Sequence, residues 1–98
     1  MHMVMTVLEA RVPAGQLGDV ERVFRDGMSS LPSEIVEVFL VLDTKDPSIF
    51  RLNTVWRSMG DLQKMRQSGV KPKGVQMFEA AGAQPALSIS EIIVHRHH

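Results

Sequence analysis

The sequence predicts an α+β fold in which one four-stranded antiparallel sheet carries helices on a single face. Three observations point to it. Four segments rich in β-branched and other apolar residues, the first with apolar side chains on both of its faces, read as strands. Between them, apolar residues recur at three and four positions, the spacing of a helix face. Finally, Phe50 to Leu62 passes from strand through turn into helix within thirteen residues, with the only tryptophan, Trp56, at the hinge.

The first strand is read from Met3 to Val12, where Val4, Thr6, Leu8, Ala10 and Val12 alternate with Met3, Met5, Val7, Glu9 and Arg11. Pro13-Ala14-Gly15 breaks it. Leu17, Val20, Phe24, Met28 and Leu31 then predict a helix that ends at Ser29-Ser30-Leu31-Pro32, where proline forbids continuation. Glu34 to Leu42 predicts a second strand, so rich in Val, Ile and Phe that both its faces should be covered over much of its length. The polar turn Asp43 to Ser48 leads into a third strand, Ile49 to Arg57, and the pair reads as an antiparallel hairpin.

Ser58, with Asp61 three residues on, predicts a capped helix carrying Leu62 and Met65 and stopping by Gly69. After Lys71-Pro72-Lys73-Gly74, the residues Val75, Phe78 and Ala81 suggest one further short helix, closed by Gly82 and Pro85. Ala86 to His95 predicts the last strand. Right-handed crossovers turn this βαββαβ order into a ferredoxin-like sheet, formed by a single domain over residues 1–98 with its core at about 3–95. The helices can cover one side only. The other keeps apolar residues from several strands, so a homodimer with sheets packed face to face is expected. Burying about 500 Å² per subunit there is worth on the order of 10 kcal/mol before association costs.

Composition narrows the function. Eleven basic and eleven acidic side chains cancel, which gives no field to gather nucleic acid or anionic lipid. No apolar run approaches the roughly 20 residues that span a bilayer. The chain has no cysteine, which excludes disulfides, thiolate nucleophiles and cysteine metal sites. The expected setting is cytoplasmic, without nucleic-acid or membrane partners, and with no metal or other cofactor.

Histidine offers little chemistry: His2 lies at one end and His95, His97 and His98 at the other. The latter cluster could take up a metal, but a plain terminal tail accounts for it. Glu9 and Arg11, two apart on one strand face, could present a paired acid and base, or simply a surface ion pair. Phe50, Leu52, Thr54 and Trp56 share one face of the third strand, and Asn53 lies on the other. Trp56 turned toward the helices could wall a pocket for a planar ligand, with Phe24, Met28, Met65, Met77 and Phe78 as neighbours, or could be core. Asn53 could orient a substrate carbonyl or make a cross-strand contact. The Lys71–Gly74 turn could contact a phosphate, although solvent exposure explains it equally.

The stretch Asp46-Pro47-Ser48-Ile49-Phe50-Arg51-Leu52-Asn53-Thr54-Val55-Trp56-Arg57-Ser58-Met59-Gly60-Asp61-Leu62 resembles the antibiotic biosynthesis monooxygenase-like family. It matches that family's aspartate–proline turn, apolar strand, tryptophan and W-x-S-x-x-x-L helix start, and the opening strand with Pro13-Ala14-Gly15 agrees. The resemblance covers nearly the whole chain. It implies the dimeric α+β barrel form of the ferredoxin-like fold. It also implies either a cofactor-independent oxygenase of polyphenolic or quinol-like substrates, a haem-degrading enzyme, or a small protein without known activity.

Two departures bear on these alternatives. The oxygenases' asparagine, four residues before the tryptophan, is Leu52 here, and the chain has no tyrosine. The haem-degrading relatives' histidine falls at Met65-Arg66-Gln67. The resemblance thus implies a cofactor-free monooxygenase with a substrate stacked on Trp56; the residues themselves offer Arg11 or Arg66 to stabilise the substrate anion, and Glu9 beside Arg11 as the further catalytic candidate. The alternatives are a homodimer that binds a small hydrophobic or aromatic molecule without catalysis, and a purely structural dimer.

Overall fold

The computed structural model describes residues 2–96 and 98. Along the chain run β1 (Val4–Arg11), a short 3-10 turn (Ala14–Gln16), α1 (Leu17–Gly27), β2 (Ile35–Leu42), β3 (Ile49–Trp56), α2 (Met59–Gln67), α3 (Lys73–Ala80) and β4 (Ala86–Glu91). The sheet order is β2-β3-β1-β4 and every pairing is antiparallel. The predicted ferredoxin-like α+β fold is the observed one.

The pleat sorts the central strands. Val4, Thr6, Leu8 and Ala10 of β1 face the helices beside Trp56, Thr54, Leu52 and Phe50 of β3, their register partners, and all eight are buried. The helical side holds two apolar clusters. The larger joins Leu8, Val20, Phe24, Leu52 and Phe78 under α1 and α3, and the smaller joins Val4, Trp56 and Leu62 under α2. Gly74 lets the start of α3 approach the sheet closely: a Cβ there would stand 2.6 Å from Leu52 Cδ2 and 3.0 Å from Leu8 Cδ1.

Three expectations need correction. The last strand stops at Glu91, although the Ile92 amide still donates to the Met3 carbonyl at 2.9 Å. The first helix ends at Gly27 rather than near Leu31. And β2 is an edge strand: within the single chain Val36, Phe39, Val41 and Leu42 are exposed. Phe39 and Val41 lie on the face of the sheet that carries no helix, whereas Val38 and Leu40 on the other face pack against the larger core cluster. A bulge between Ile35 and Glu37 breaks the alternation, so Ile35 and Val38, three residues apart, both face the helical side opposite Trp56 and Thr54. Among the described residues, no helix is long and apolar enough to cross a membrane.

Candidate functional site

The turn after β3 fixes the tryptophan. Ser58 is the N-cap of α2, and its hydroxyl accepts the Asp61 amide at 3.1 Å, as the spacing predicts. The Asp61 carboxylate in turn accepts two hydrogen bonds from the Arg57 guanidinium, at 2.8 and 3.2 Å, and one from the Ser58 hydroxyl. The Arg57 guanidinium, with help from Ser58, holds the Asp61 carboxyl below the usual carboxylate range against the opposing effect of burial. The residue before this clamp is Trp56, whose indole Nε1 donates to Thr6 Oγ1 at 3.0 Å. A short strand end, a capped helix start and one buried hydrogen bond therefore set the ring.

Beside it lies a cavity of about 390 Å³ between the two apolar clusters. Thr6, Leu8, Leu52, Thr54 and Trp56 form its floor on the sheet, and Ile35 and Val38 of β2 form one side. Leu62, Met65 and Arg66 come from α2, Lys73, Gly74 and Val75 from α3, and Gly27 and Met28 from the end of α1. The volume and the mostly apolar walls with a few polar groups are those of a small-molecule site. α1 packs on α3, α3 on β1 and α2 on β3, and the space lies between these contacts.

Its polar groups are segregated by depth. Thr6 and Thr54 are buried on the floor, whereas Arg66 and Lys73 are exposed at the rim, where Lys73 Nζ donates to the Gly27 carbonyl at 2.9 Å. Among the lining residues there is no aspartate, glutamate or histidine. The cavity is thus an apolar space with two hydroxyls inside and two cations and the Ser30 hydroxyl at its mouth.

Of the predicted site residues, Trp56, Met28, Met65 and Arg66 meet at this cavity. The others do not. Phe24 and Phe78 pack on each other in the larger core cluster, with ring centroids 4.8 Å apart and planes tilted by 54°. Phe78 is fully buried, and Phe24 lines a separate cavity between α1 and β2.

Glu9, Arg11 and Asn53 lie on the opposite face of the sheet, as strand alternation requires once Trp56 faces the helices. Glu9 and Arg11 do not pair with each other. Glu9 accepts from Arg51 Nε at 2.6 Å, and Arg51 also reaches Asp43 at 3.0 Å. Arg11 donates to Asp46 at 2.6 Å and to Ser48 at 2.7 Å, tying β1 to the β2–β3 turn. The Ser48 hydroxyl, followed by the Arg11 guanidinium, lowers the Asp46 carboxyl to about 2. Asn53 Nδ2 donates to the Arg51 carbonyl at 3.3 Å.

Glu91 meets His2 at an exposed end of the sheet, and His97 lies outside the described residues. No group of three or more metal-ligating side chains occurs among the described residues. Sequence reasoning overlooked Thr6 and Thr54, although a signal was present: each is the one polar residue on the inward face of its strand.

A sequence model of the antibiotic biosynthesis monooxygenase family matches residues 3–81. No curated protein sequence matches the chain significantly. Among solved structures, the chain is similar to a haem-degrading protein from Mycobacterium tuberculosis, at 18% identity with all of both chains covered and a TM-score of 0.70. It is similar to a protein from Nitrosomonas europaea provisionally named as an antibiotic biosynthesis monooxygenase, at 14% identity, 94% and 91% coverage and a TM-score of 0.73. A protein from Chloroflexus aurantiacus with the same provisional name shares 17% identity over 97% of each chain, with a TM-score of 0.68. At these identities the likeness shows a shared fold and carries no chemistry with it.

Proposed function

The chain belongs to the antibiotic biosynthesis monooxygenase family, and from that premise we propose that it is a cofactor-independent monooxygenase of a small aromatic or quinol-like substrate. The observation that carries this reading is the make-up of the cavity: apolar walls, the Trp56 ring, two rim cations and no lining carboxylate. Such a site favours the anion of a weakly acidic aromatic molecule over its neutral form. It also keeps water from the reacting carbon.

An anthrone illustrates the step. Its proton leaves to solvent through the rim, and the ring carbon of the anion bonds to dioxygen. The resulting peroxide takes up a proton, and loss of water leaves a quinone carbonyl. One oxygen atom stays in the product and the other leaves as water, with the substrate supplying every electron. Trp56 would stack on the rings, Met28 and Met65 would fit their edges, and Arg66 would hold the negative charge.

The haem-degrading neighbour raises a porphyrin as another ligand. No imidazole lines this cavity to serve as an axial ligand, which weighs against that choice. A second reading, a homodimer that binds such an aromatic molecule without transforming it, is favoured by the absence of any lining side chain able to act as a general base.

In either reading we place a second copy of the chain on the outer face of the sheet. Phe39 and Val41 are exposed there, while Glu9, Arg51 and Asp43 satisfy one another beside them. A neutral, cysteine-free composition supports a cytoplasmic setting.

Oxygen uptake with a panel of hydroquinones and anthrones, run beside Trp56→Ala, tests the enzyme. Protein-dependent uptake that the substitution abolishes supports the oxygenase. Binding without uptake moves the assignment to the non-catalytic dimer.

A further inference from the structure

Thr6 and Thr54 are register partners on adjacent central strands, both 8% exposed and both on the floor of the cavity. Side chains opposite each other across an antiparallel pair stand close enough to act on one group. The Thr6 hydroxyl accepts the Trp56 indole proton and keeps its own. The Thr54 hydroxyl takes no protein partner among the described residues, yet no buried side-chain oxygen there is left sealed and unpaired. Its hydroxyl therefore opens into the cavity. Around the two threonines the deep lining is Leu8, Leu52, Ile35, Val38 and Leu62, so no other side chain at that depth can hydrogen-bond. Trp56 itself can offer only its ring, because its single N–H is already engaged.

We propose that the Thr6–Thr54 pair is the specificity device of the cavity. It donates to a hydroxyl or carbonyl oxygen at the inner end of a planar arene whose anionic group sits between Arg66 and Lys73 at the rim. The ligand class is thus an oxygen-substituted arene carboxylate of about two fused rings, a size within the range of small-molecule sites. This rests on the proposed function only in taking the cavity as the ligand site. An arene lacking the inner oxygen would displace water from both hydroxyls and return nothing, which is how buried polar groups reject an analogue.

Calorimetric titration with 6-hydroxy-2-naphthoate, 2-naphthoate and 2-naphthol tests it, with quenching of the only tryptophan reporting that the ligand sits beside Trp56. The hydroxynaphthoate should bind about tenfold more tightly than naphthoate, the effect of one well-placed hydrogen bond in a dry site. Thr54→Val keeps the side-chain shape and should bring that ratio close to one, and Thr54→Ser should restore it. Arg66→Gln should cut the advantage of hydroxynaphthoate over naphthol. A ratio near one in the unaltered protein, or one that persists in Thr54→Val, overturns the threonine assignment while leaving the cavity as a ligand site. If none of the three compounds quenches Trp56, the cavity reading fails and this inference fails with it.

Discussion

Trp56 donates its indole proton to Thr6 Oγ1 at 3.0 Å, joining the end of β3 to the middle of β1 across the floor of the cavity. The ring is 7% exposed and belongs to the smaller core cluster, so it serves packing as well as the cavity. Trp56→Phe should cost about 1–3 kcal/mol, from lost area and a Thr6 hydroxyl left without its donor. Trp56→Ala should cost about 3–5 kcal/mol. Urea unfolding followed by circular dichroism measures both, and equal costs for the two would show that the ring contributes no packing.

Gly74→Ala separates stability from binding. The new Cβ would press on Leu52 and Leu8 terminal methyls, and both of these leucines line the cavity and can turn into it. The expected cost in stability is therefore small, about 1 kcal/mol, while the space for a ligand shrinks. Melting temperature and naphthoate affinity together check this. A large loss of stability with binding intact would mean that the leucines do not yield.

The Arg57–Asp61–Ser58 clamp gives a pH signature. The folded Asp61 carboxyl ionises below its ordinary value of 3.8. Its contribution is complete above that value and disappears as the pH falls through the lower folded value. The difference in melting temperature between the unaltered protein and Asp61→Asn should be widest near neutrality and close in acid. A gap that stays constant down to the acid limb would remove Asp61 from the cap's energetics.

Arg66 should set the ionisation of a bound substrate. A guanidinium at the rim lowers the pKa of a bound aromatic acid, so Arg66→Gln should move the rising limb of the pH–rate profile to higher pH. A uniform loss of rate with an unmoved limb would place Arg66 outside the electrostatics of the reaction.

Sedimentation velocity tests the second copy. Phe39 is 45% exposed on the outer face, and Phe39→Glu would bury a charge in the proposed contact. The unaltered protein should sediment as a dimer at micromolar concentration and the variant as a monomer. A monomeric unaltered protein would end the dimer proposal.

Much of the fold was legible because hydrophobic period and turn chemistry agree along this chain. Pro13, the Asp43–Ser48 turn and the Ser58 cap each fall where the structure places a boundary. The site was legible in part. The side of the sheet that Trp56 would face was the key inference, and it brought Met28 and Met65 into view, whereas Arg66 entered as a charge able to hold a substrate anion.

Phe24 and Phe78 lie away from the cavity beside Trp56, because helical spacing says which face of a helix is apolar and not whether two such faces meet each other or a cavity. For Ile35, strict alternation would have put it beside Phe39 and Val41, and only the bulge at Val36 returns it to the helical side. Glu9 and Arg11 were close in sequence, and that proximity suggested a pair. Their actual partners, Arg51 and Asp46, come from elements that only the tertiary fold brings near.

The alternation along β3 carries a consequence for how such a protein can change. Leu52, Thr54 and Trp56 address the cavity, while the intervening Arg51 and Asn53 address the far side of the sheet. If the proposed ligand site and the proposed second copy both hold, binding and self-association would rest on interleaved but non-overlapping positions of a single eight-residue strand. Either set could then be substituted while the other stands, so that a change of ligand would leave the contact between copies untouched.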